Sequence, residues 1–302
     1  MLEALHHAAD PSGAHSATRR LTNIEASEGS HAPMAGVGSP SRADVHVAGR
    51  RDCVNIESTP GFWVGYDGCM AVEASTTLAD LVIEDGRRAR VLERFGLDYC
   101  CHGHRRLSDA AAEADLDLEE VSAALDLPTA SDHEFARPSE QAALAHDIVD
   151  THHAYMWEEM PRLQALVEKV HRVHGERHLE LAKVNELFTL AVAALDPHMT
   201  KEERSVFPAI SRLEKTRSRG TPGALAGEID VLVQEHTVVG DLFKEINRVT
   251  ASYTVPEDGC ASYRAMIDGL RQMEFDLHEH IHKENNILFP GALELERILT
   301  TT

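Results

Sequence analysis

Residues 198–208 and 280–290 decide the fold, because they carry one pattern twice: HMTKEERSVFP and HIHKENNILFP. Each copy starts with His and has Lys, Glu, Phe and Pro three, four, nine and ten positions later. A single His-x-x-x-Glu would carry little weight in a chain with 19 His and 50 acidic residues, but five shared positions are hard to reach by chance. Residues four apart lie on one face of a helix. Each copy therefore directs an imidazole nitrogen and a carboxylate to the same point.

The composition favours an all-α protein. Aromatic residues are only 5% of the 302 residues, while Ala, Leu and Glu are abundant, which favours helix over sheet. A net charge of −21 argues against nucleic acid as a partner, because the phosphate backbone would be repelled. No run of about 18 apolar residues is present to span a membrane. The first 30 residues lack an apolar signal core and the five Cys do not resemble a secreted framework, so we expect a cytoplasmic protein.

The chain is predicted to have three parts. Residues 1–72 are expected to be a mostly disordered extension, 76–127 a small helical domain, and 139–297 a four-helix bundle. Capping residues mark the helices of the small domain. The expected boundaries are Thr76 or Thr77 as the cap of a first helix, Arg87–Phe95 ended by Gly96 as the second, Ser108 as the cap of the third, and Asp117 as the cap of Leu118–Leu125.

One segment of the extension differs from the rest. Residues 53–70 contain Phe, Trp and Tyr together with Cys53 and Cys69. We expect this segment to pack on the folded part of the chain, and a redox role for its two cysteines is the alternative.

The bundle is predicted from four long segments with helical periodicity. They cover about 139–174, 177–213, 222–250 and 257–297, with Gly and Pro between them. Short connections between long amphipathic helices are typical of an up-down-up-down bundle.

Each bundle helix places one histidine on its apolar seam. His153 and His198 are 45 residues apart and His236 and His280 are 44 apart, which indicates a tandem of two helical hairpins. In antiparallel packing the four histidines fall in one layer, with Glu202 and Glu284 from the repeated motif. His152 competes with His153, but His153 continues the seam. The histidines off the seam are interpreted as solvated surface residues: His146, His171, His174, His178, His278 and His282.

Six polar groups in one layer of an apolar core would be costly without a cation. Four imidazoles and two carboxylates exceed the ligand set of one tetrahedral zinc. Two Glu from opposite helices can bridge two metals, each with two terminal His and open positions. This donor set suits non-haem iron, with manganese as the alternative.

The bundle resembles the hemerythrin-like domain, and residues 76–295 resemble the iron–sulfur cluster repair di-iron proteins, the RIC family. The resemblance rests on HMTKEE, QEH and HIHKENNILFP, and on the Tyr-Cys-Cys of 95–101, FGLDYCC, where the usual Gly-Gly continuation is His102-Gly103. It implies two non-haem iron ions with oxo and carboxylate bridges. It also implies the ligands His153, His198, His236 and His280, with Glu202 and Glu284 as bridges.

The same resemblance implies a function. The protein would restore iron–sulfur clusters damaged by nitric oxide or oxidants, through iron donation and with nitric oxide reduction as an added activity. Cys100 and Cys101 would handle iron or electrons, although a small buried pair is the alternative, and Tyr99 is expected in the core. Glu235 matches an acidic position near an access path. The implied partners are damaged iron–sulfur proteins and nitric oxide or oxygen.

Two other functions stay open from the sequence. A hemerythrin-type oxygen or nitric oxide carrier or sensor typically adds a fifth His and an Asp, and no seam His is left for that role. An iron-storage or peroxide-consuming protein is the third reading. The oligomer is not fixed by the sequence, and a homodimer is one option.

Overall fold

A computed structural model describes residues 72–128, 140–217 and 223–301, which all belong to one compact unit, Tyr66–Thr302. Within these residues the secondary structure is helical, with a single isolated β-bridge between Thr77 and Arg106 and no strand. The extension predicted over residues 1–72, with its segment 53–70, lies outside the described residues except for Val72. The all-α class is confirmed.

The small domain consists of four short helices: α1 (Leu78–Glu84), α2 (Arg88–Arg94), α3 (Leu107–Glu113) and α4 (Leu118–Leu125). The Thr77 hydroxyl accepts a hydrogen bond from the Asp80 N–H at 3.1 Å, and the Asp117 carboxylate accepts one from the Glu119 N–H at 2.8 Å. Gly96 ends the second helix with a φ of +67°. The predicted caps of the first and fourth helices and the stop at Gly96 are therefore confirmed.

The prediction that Ser108 caps the third helix is wrong. Its N-cap is Arg106, and Ser108 lies in the first turn. The start is set from outside the helix, because the backbone N–H of Leu107 donates to the Thr76 carbonyl at 2.9 Å and that of Ser108 to the Ala74 carbonyl at 3.0 Å. The Leu107 side chain is fully buried at this contact.

Each of the four bundle helices matches one predicted segment, and three of them contain a π-helical turn. The first is α5 (Gln141–Ile148), π1 (Val149–His153) and α6 (Ala154–His174). The second is α7 (Glu180–Lys201), π2 (Glu202–Val206) and α8 (Phe207–Thr216). The third is α9 (Ala224–Val249), and the fourth is α10 (Ala261–Lys283), π3 (Glu284–Leu288) and α11 (Phe289–Thr301).

The π-helical turns let each interrupted helix bury two consecutive residues. A π turn inserts one residue into the helical repeat, so the buried seam moves by one position. His152 and His153, Val206 and Phe207, and Leu288 and Phe289 are the three buried pairs. The inserted residues lie at the level of the polar layer.

The four bundle helices pack in a ring, first against second, second against third, third against fourth, and fourth against first. The small domain contributes to the same core: Leu78 and Tyr99 belong to one buried cluster with Leu277 of α10. Tyr99 is 1% exposed, as expected for a core residue. The small domain therefore covers one face of the bundle.

The interpretation of the off-seam histidines as solvated is wrong for several of them. His174 and His282 are buried, and His178 and His278 are half-buried. His278 bonds to Glu93 and His282 lies against Tyr99, so the small domain covers the face of α10 that helical periodicity assigned to solvent. Of the remaining two, His146 is exposed as predicted and His171 is partly exposed.

Candidate metal centre

The six side chains predicted as ligands converge in one layer of the bundle, and all are buried. His153, His280, Glu202 and Glu284 are 0% exposed, and His198 and His236 are 3% and 2% exposed. They form two groups of four whose donor atoms all lie within 4.8 Å of one another. The groups are His153, His280, Glu202 and Glu284, and His198, His236, Glu202 and Glu284. The two carboxylates are shared.

Each histidine pair takes one member from each hairpin. The Nε2 atoms of His153 and His280 are 3.1 Å apart, and those of His198 and His236 are 3.0 Å apart. The two histidines of one hairpin therefore belong to different groups, and each group combines residues from both halves of the tandem repeat.

Each shared carboxylate directs one oxygen at each pair. Glu284 Oε1 is 2.9 Å from His280 Nε2, and its Oε2 is 3.0 Å from His236 Nε2. Glu202 Oε2 is 3.4 Å from His153 Nε2, and its Oε1 is 3.4 Å from His198 Nε2. This arrangement places four donor atoms around each of two neighbouring points.

The outer nitrogens of three histidines have acceptors that fix their tautomers. Nδ1 of His153 lies 3.0 Å from Glu203 Oε1, and Nδ1 of His198 lies 2.8 Å from Glu235 Oε2. A carboxylate only accepts, so both Nδ1 atoms carry a proton, and each ring in its neutral form presents the Nε2 lone pair to the centre. His236 Nδ1 donates in the same way to the side-chain carbonyl of Asn285 at 2.9 Å.

The centre holds polar atoms that the protein leaves unsatisfied. Neither carboxylate oxygen of Glu202 has a hydrogen-bond donor among the described residues. Burial and the charge of Glu284 raise the pKa of Glu202. Burial alone would lower the pKa of His236, but the hydrogen bond to Glu284 and the charges of both carboxylates raise it to about 9. The field of the centre therefore attracts positive charge.

The phenylalanines of the repeated motif close the centre. Phe207 stacks on the His153 ring with centroids 5.7 Å apart, and Phe289 stacks on His236 at 6.1 Å. Each Phe thus covers the isolated histidine of its own hairpin. The π turn that begins at each motif Glu supplies the register that brings Phe to this position.

Several residues around the ligands were missed by sequence reasoning. Glu203 accepts from His153 and from Trp157 Nε1 at 2.9 Å. His152 stacks on His280 with ring planes 8° apart, and its Nδ1 lies 3.0 Å from Asp276. Glu203 follows the motif Glu directly, so its position beside a ligand was a signal, whereas nothing local marks Asp276.

The adjacent cysteines lie in a tight turn built on Asp98. Asp98 Oδ1 accepts from the backbone N–H groups of Cys100 and Cys101 at 3.1 and 2.9 Å and lies 3.2 Å from Cys100 Sγ. The two sulfurs are 3.9 Å apart, and Asp98, Cys100 and Cys101 form a third group of close metal-ligand atoms. The hydrogen bond from Cys100 lowers the pKa of the Cys101 thiol.

The di-Cys turn, residues 98–103, is fastened to the bundle by two amides of π3. Asn286 Nδ2 donates to the carbonyls of Tyr99 and Cys100 at 3.3 and 3.1 Å. Asn285, whose carbonyl accepts from His236, donates through Nδ2 to the Cys100 carbonyl at 3.4 Å. One amide therefore connects the di-Cys turn to a histidine of the centre.

The residues of the centre fit a bound metal. Two Nε2 atoms that face each other at about 3 Å, beside two buried carboxylates, form a donor set that matches a bound cation. Nitrogen and oxygen donors of this kind suit iron, manganese or zinc, and six donors exceed one tetrahedral zinc. The buried His and Glu clusters therefore form a metal site.

Two family models match the chain. Residues 144–292 match the Hemerythrin HHE cation binding domain, and residues 74–128 match ScdA_N, a Domain of Unknown function (DUF542). The iron-sulfur cluster repair protein YtfE of Citrobacter koseri is 32% identical over 220 residues, which cover 72% of this chain and 96% of the relative. YtfE of Escherichia coli O157:H7 has the same identity and coverage, and YtfE of Shigella boydii serotype 4 is 31% identical.

The fold and the centre define a hemerythrin-type cation-binding bundle joined to an ScdA_N domain. The chain belongs to the family of iron-sulfur cluster repair proteins, since the match extends over nearly the whole length of the relatives. Among the helices of the described residues, none has both the length and the apolar character needed to cross a membrane.

Proposed function

We propose that this protein repairs damaged iron–sulfur clusters by donating iron from a centre of two non-haem irons. His153 and His280 would hold one iron and His198 and His236 the other, with Glu202 and Glu284 as bridges. The relatives named above are iron-sulfur cluster repair proteins, and the acceptors proposed for this chain are likewise iron–sulfur proteins.

One observation carries the count of two irons. Each carboxylate directs one oxygen at each histidine pair, at 2.9–3.4 Å from the nearest Nε2. Adjacent donors of an octahedral ion with bonds of about 2.1 Å are about 3 Å apart, so these separations suit two metal positions better than one.

The chain's own residues prepare the centre for iron. Glu203, Glu235 and Asn285 hold the Nδ1 protons and thereby orient three imidazoles. Phe207 and Phe289 keep water from the outer faces of two rings. Iron bound there would supply Fe(II)/Fe(III) chemistry and open positions for a small ligand such as nitric oxide or oxygen. Donation requires that the iron be held less tightly than in a closed site, which four histidines and two shared carboxylates allow.

The test supplies the diferrous protein to an enzyme whose cluster has been damaged by nitric oxide. Activity is followed in the presence of a weak ferrous chelator that suppresses repair by free iron. We expect recovery in proportion to the protein added. No recovery, together with tight reversible oxygen binding, would show instead a hemerythrin-type carrier.

The matched control uses the carboxylates. Glu202→Ala and Glu284→Ala each remove one oxygen donor from both positions, and each should lose most of the iron and all repair. The double variant tests the location of the centre by metal analysis. Two irons retained by the double variant would show that the centre lies elsewhere.

A further inference from the structure

The two iron positions are inequivalent, and we propose that the one between His198 and His236 is the donor position, from which iron leaves first. This inference rests on the proposed function, and it identifies which of the two irons is transferred to the acceptor. Four contrasts between the two histidine pairs support it.

The carboxylates behind the two pairs are held differently. Glu203 Oε1 accepts two hydrogen bonds, from His153 Nδ1 at 3.0 Å and from Trp157 Nε1 at 2.9 Å. Glu235 bonds to His198 alone among the described residues, at 2.8 Å, and its side chain is 42% exposed, against 32% for Glu203. A carboxylate with one partner reorients at lower cost than one with two. Of His153 and His198, the second is therefore the more easily displaced ligand.

Glu235 also lines a cavity at the protein surface. A shallow cavity of about 270 Å³ is lined by Ala194, Val231, Gln234, Glu235 and Val238, on the outer faces of α7 and α9. Its walls are mostly apolar, and Glu235 is its charged residue. A cation that leaves the pair His198 and His236 on this side meets a carboxylate first.

The other side of this position faces the di-Cys turn. His236 is joined through Asn285 to the Cys100 carbonyl. Gly240 lies one helical turn beyond His236, and a Cβ placed on it would be 3.8 Å from Cys101 Sγ. Thiolates are good ligands for iron. The turn that carries the two cysteines therefore packs on α9, the helix of His236.

The pair His153 and His280 has an additional cover. The His152 ring stacks on His280 at a centroid distance of 5.7 Å. Asp276 holds His152 in place at 3.0 Å. Iron at this position would lie behind this ring, so we assign it as the retained iron.

The transfer is a ligand exchange without a change in oxidation state. His198 and His236 would release the Fe(II) ion through Nε2, and Glu202 and Glu284 would each release it through one oxygen. Two thiols of the acceptor would bind the ion as thiolates. The two protons that these thiols lose would pass to the two freed Nε2 atoms, so charge and atoms balance.

The experiment uses the full-length protein loaded with two equivalents of isotopically enriched Fe(II) under anaerobic conditions. Excess ferrous chelator captures the iron, and Mössbauer spectra are recorded on samples frozen between the phases. We expect one equivalent in a fast phase and the second at least 10-fold more slowly. A single phase that releases both irons would overturn the inference.

Two matched variants assign the phases. Glu235→Gln removes the charge behind His198 and should accelerate the fast phase about 10-fold while the slow phase stays unchanged. Glu203→Gln makes the same change behind His153 and should accelerate only the slow phase. The opposite assignment would overturn the proposal. Should Glu235→Gln bind fewer than two irons, Asn285→Ala gives the same test at His236.

Capture by a chelator needs no acceptor enzyme, so the two hypotheses fail separately. Biphasic release that follows Glu235, without any cluster repair, would refute the proposed function and leave the donor position standing. Repair with uniform release of both irons would refute the donor position alone.

Discussion

His174 and Cys260 form a contact at the end of the bundle away from the candidate metal centre. His174 Nε2 lies 3.2 Å from Cys260 Sγ, and Arg177 Nη2 lies 3.3 Å from His174 Nδ1. An Arg side chain only donates, so Nδ1 accepts and the proton is on Nε2, directed at the sulfur. The backbone N–H groups of Tyr263 and Ser262 and the charge of Lys169 lower the pKa of the exposed Cys260 thiol.

The lowered pKa predicts a Cys260 thiol that reacts at lower pH than an ordinary cysteine. Alkylation of Cys260 by iodoacetamide, followed by peptide mass spectrometry against pH, should have its midpoint below the ordinary value, because the thiolate is the nucleophile. His174→Phe keeps a ring against Tyr263 and removes the donor, so the midpoint should move to higher pH. Cys260→Ser identifies the peptide, and an unchanged midpoint in His174→Phe would show that the imidazole does not act on the sulfur.

Single residues also show which parts of the site could be predicted from the sequence and which could not. The four seam histidines and two glutamates could be chosen because helical spacing and the repeat act within one stretch of chain. His282 and His174 were assigned to solvent because their covers come from distant segments, the di-Cys turn and the loop before α10. Asn285 stands inside the quoted repeat, but its role depends on two contacts that no spacing encodes.

At the scale of elements, two of the three predicted caps of the small domain, Thr77 and Ser108, differ in the structure. Thr77 caps α1, whereas Ser108 lies inside α3. Thr77→Ala should lower the free energy of unfolding by about 1 kcal/mol, because the Asp80 N–H loses its acceptor. Ser108→Ala is the matched control and should stay within about 0.5 kcal/mol of the parent.

Urea denaturation followed by circular dichroism measures both variants. Equal losses in the two proteins would mean that the backbone contacts of Thr76 and Ala74 do not set the start of α3. The comparison therefore tests the corrected helix boundary as well as the cap.

The π turns explain why helical periodicity predicted the bundle helices but not which of their residues face the core. Each π turn inserts one residue into the α-helical repeat. An α-helical wheel places Val206 or Phe207 in the core, and the structure buries both. The same holds for Leu288 and Phe289. Two apolar residues before a Pro, repeated in both motifs, were a visible signal of the inserted residue. The first bundle helix has no such pair before a Pro, so its π turn was not visible.

At the scale of the whole molecule, a metal bound by the layer of four His and two Glu side chains should raise the free energy of unfolding. Without a cation, buried carboxylate oxygens of Glu202 and Glu284 are left without partners in a core of apolar residues. A ligand at about 100 times its dissociation constant adds about 2.7 kcal/mol, which for a domain of this size corresponds to roughly 5–10 °C in Tm.

Removal of metal with a strong chelator should therefore lower Tm by at least about 5 °C, as measured by calorimetry before and after dialysis. Iron restored under anaerobic conditions should restore the Tm. The Glu202→Ala, Glu284→Ala double variant is the control, and its Tm should not respond to the chelator. A parent protein whose Tm is equal with and without chelator would contradict a metal in this layer.

The contact between the di-Cys turn and the bundle has a consequence for which sequences the turn tolerates. A Cβ at position 103 would lie 2.5 Å from the Tyr99 carbonyl oxygen, 2.7 Å from Asn286 Oδ1 and 2.9 Å from the Ala79 Cβ. Position 102 carries an exposed His. Of the two positions that follow the paired cysteines, only the second is therefore required by the fold to be glycine. Substitutions should accumulate at position 102 over evolutionary time, while glycine at position 103 stays invariant for as long as the turn rests on the bundle.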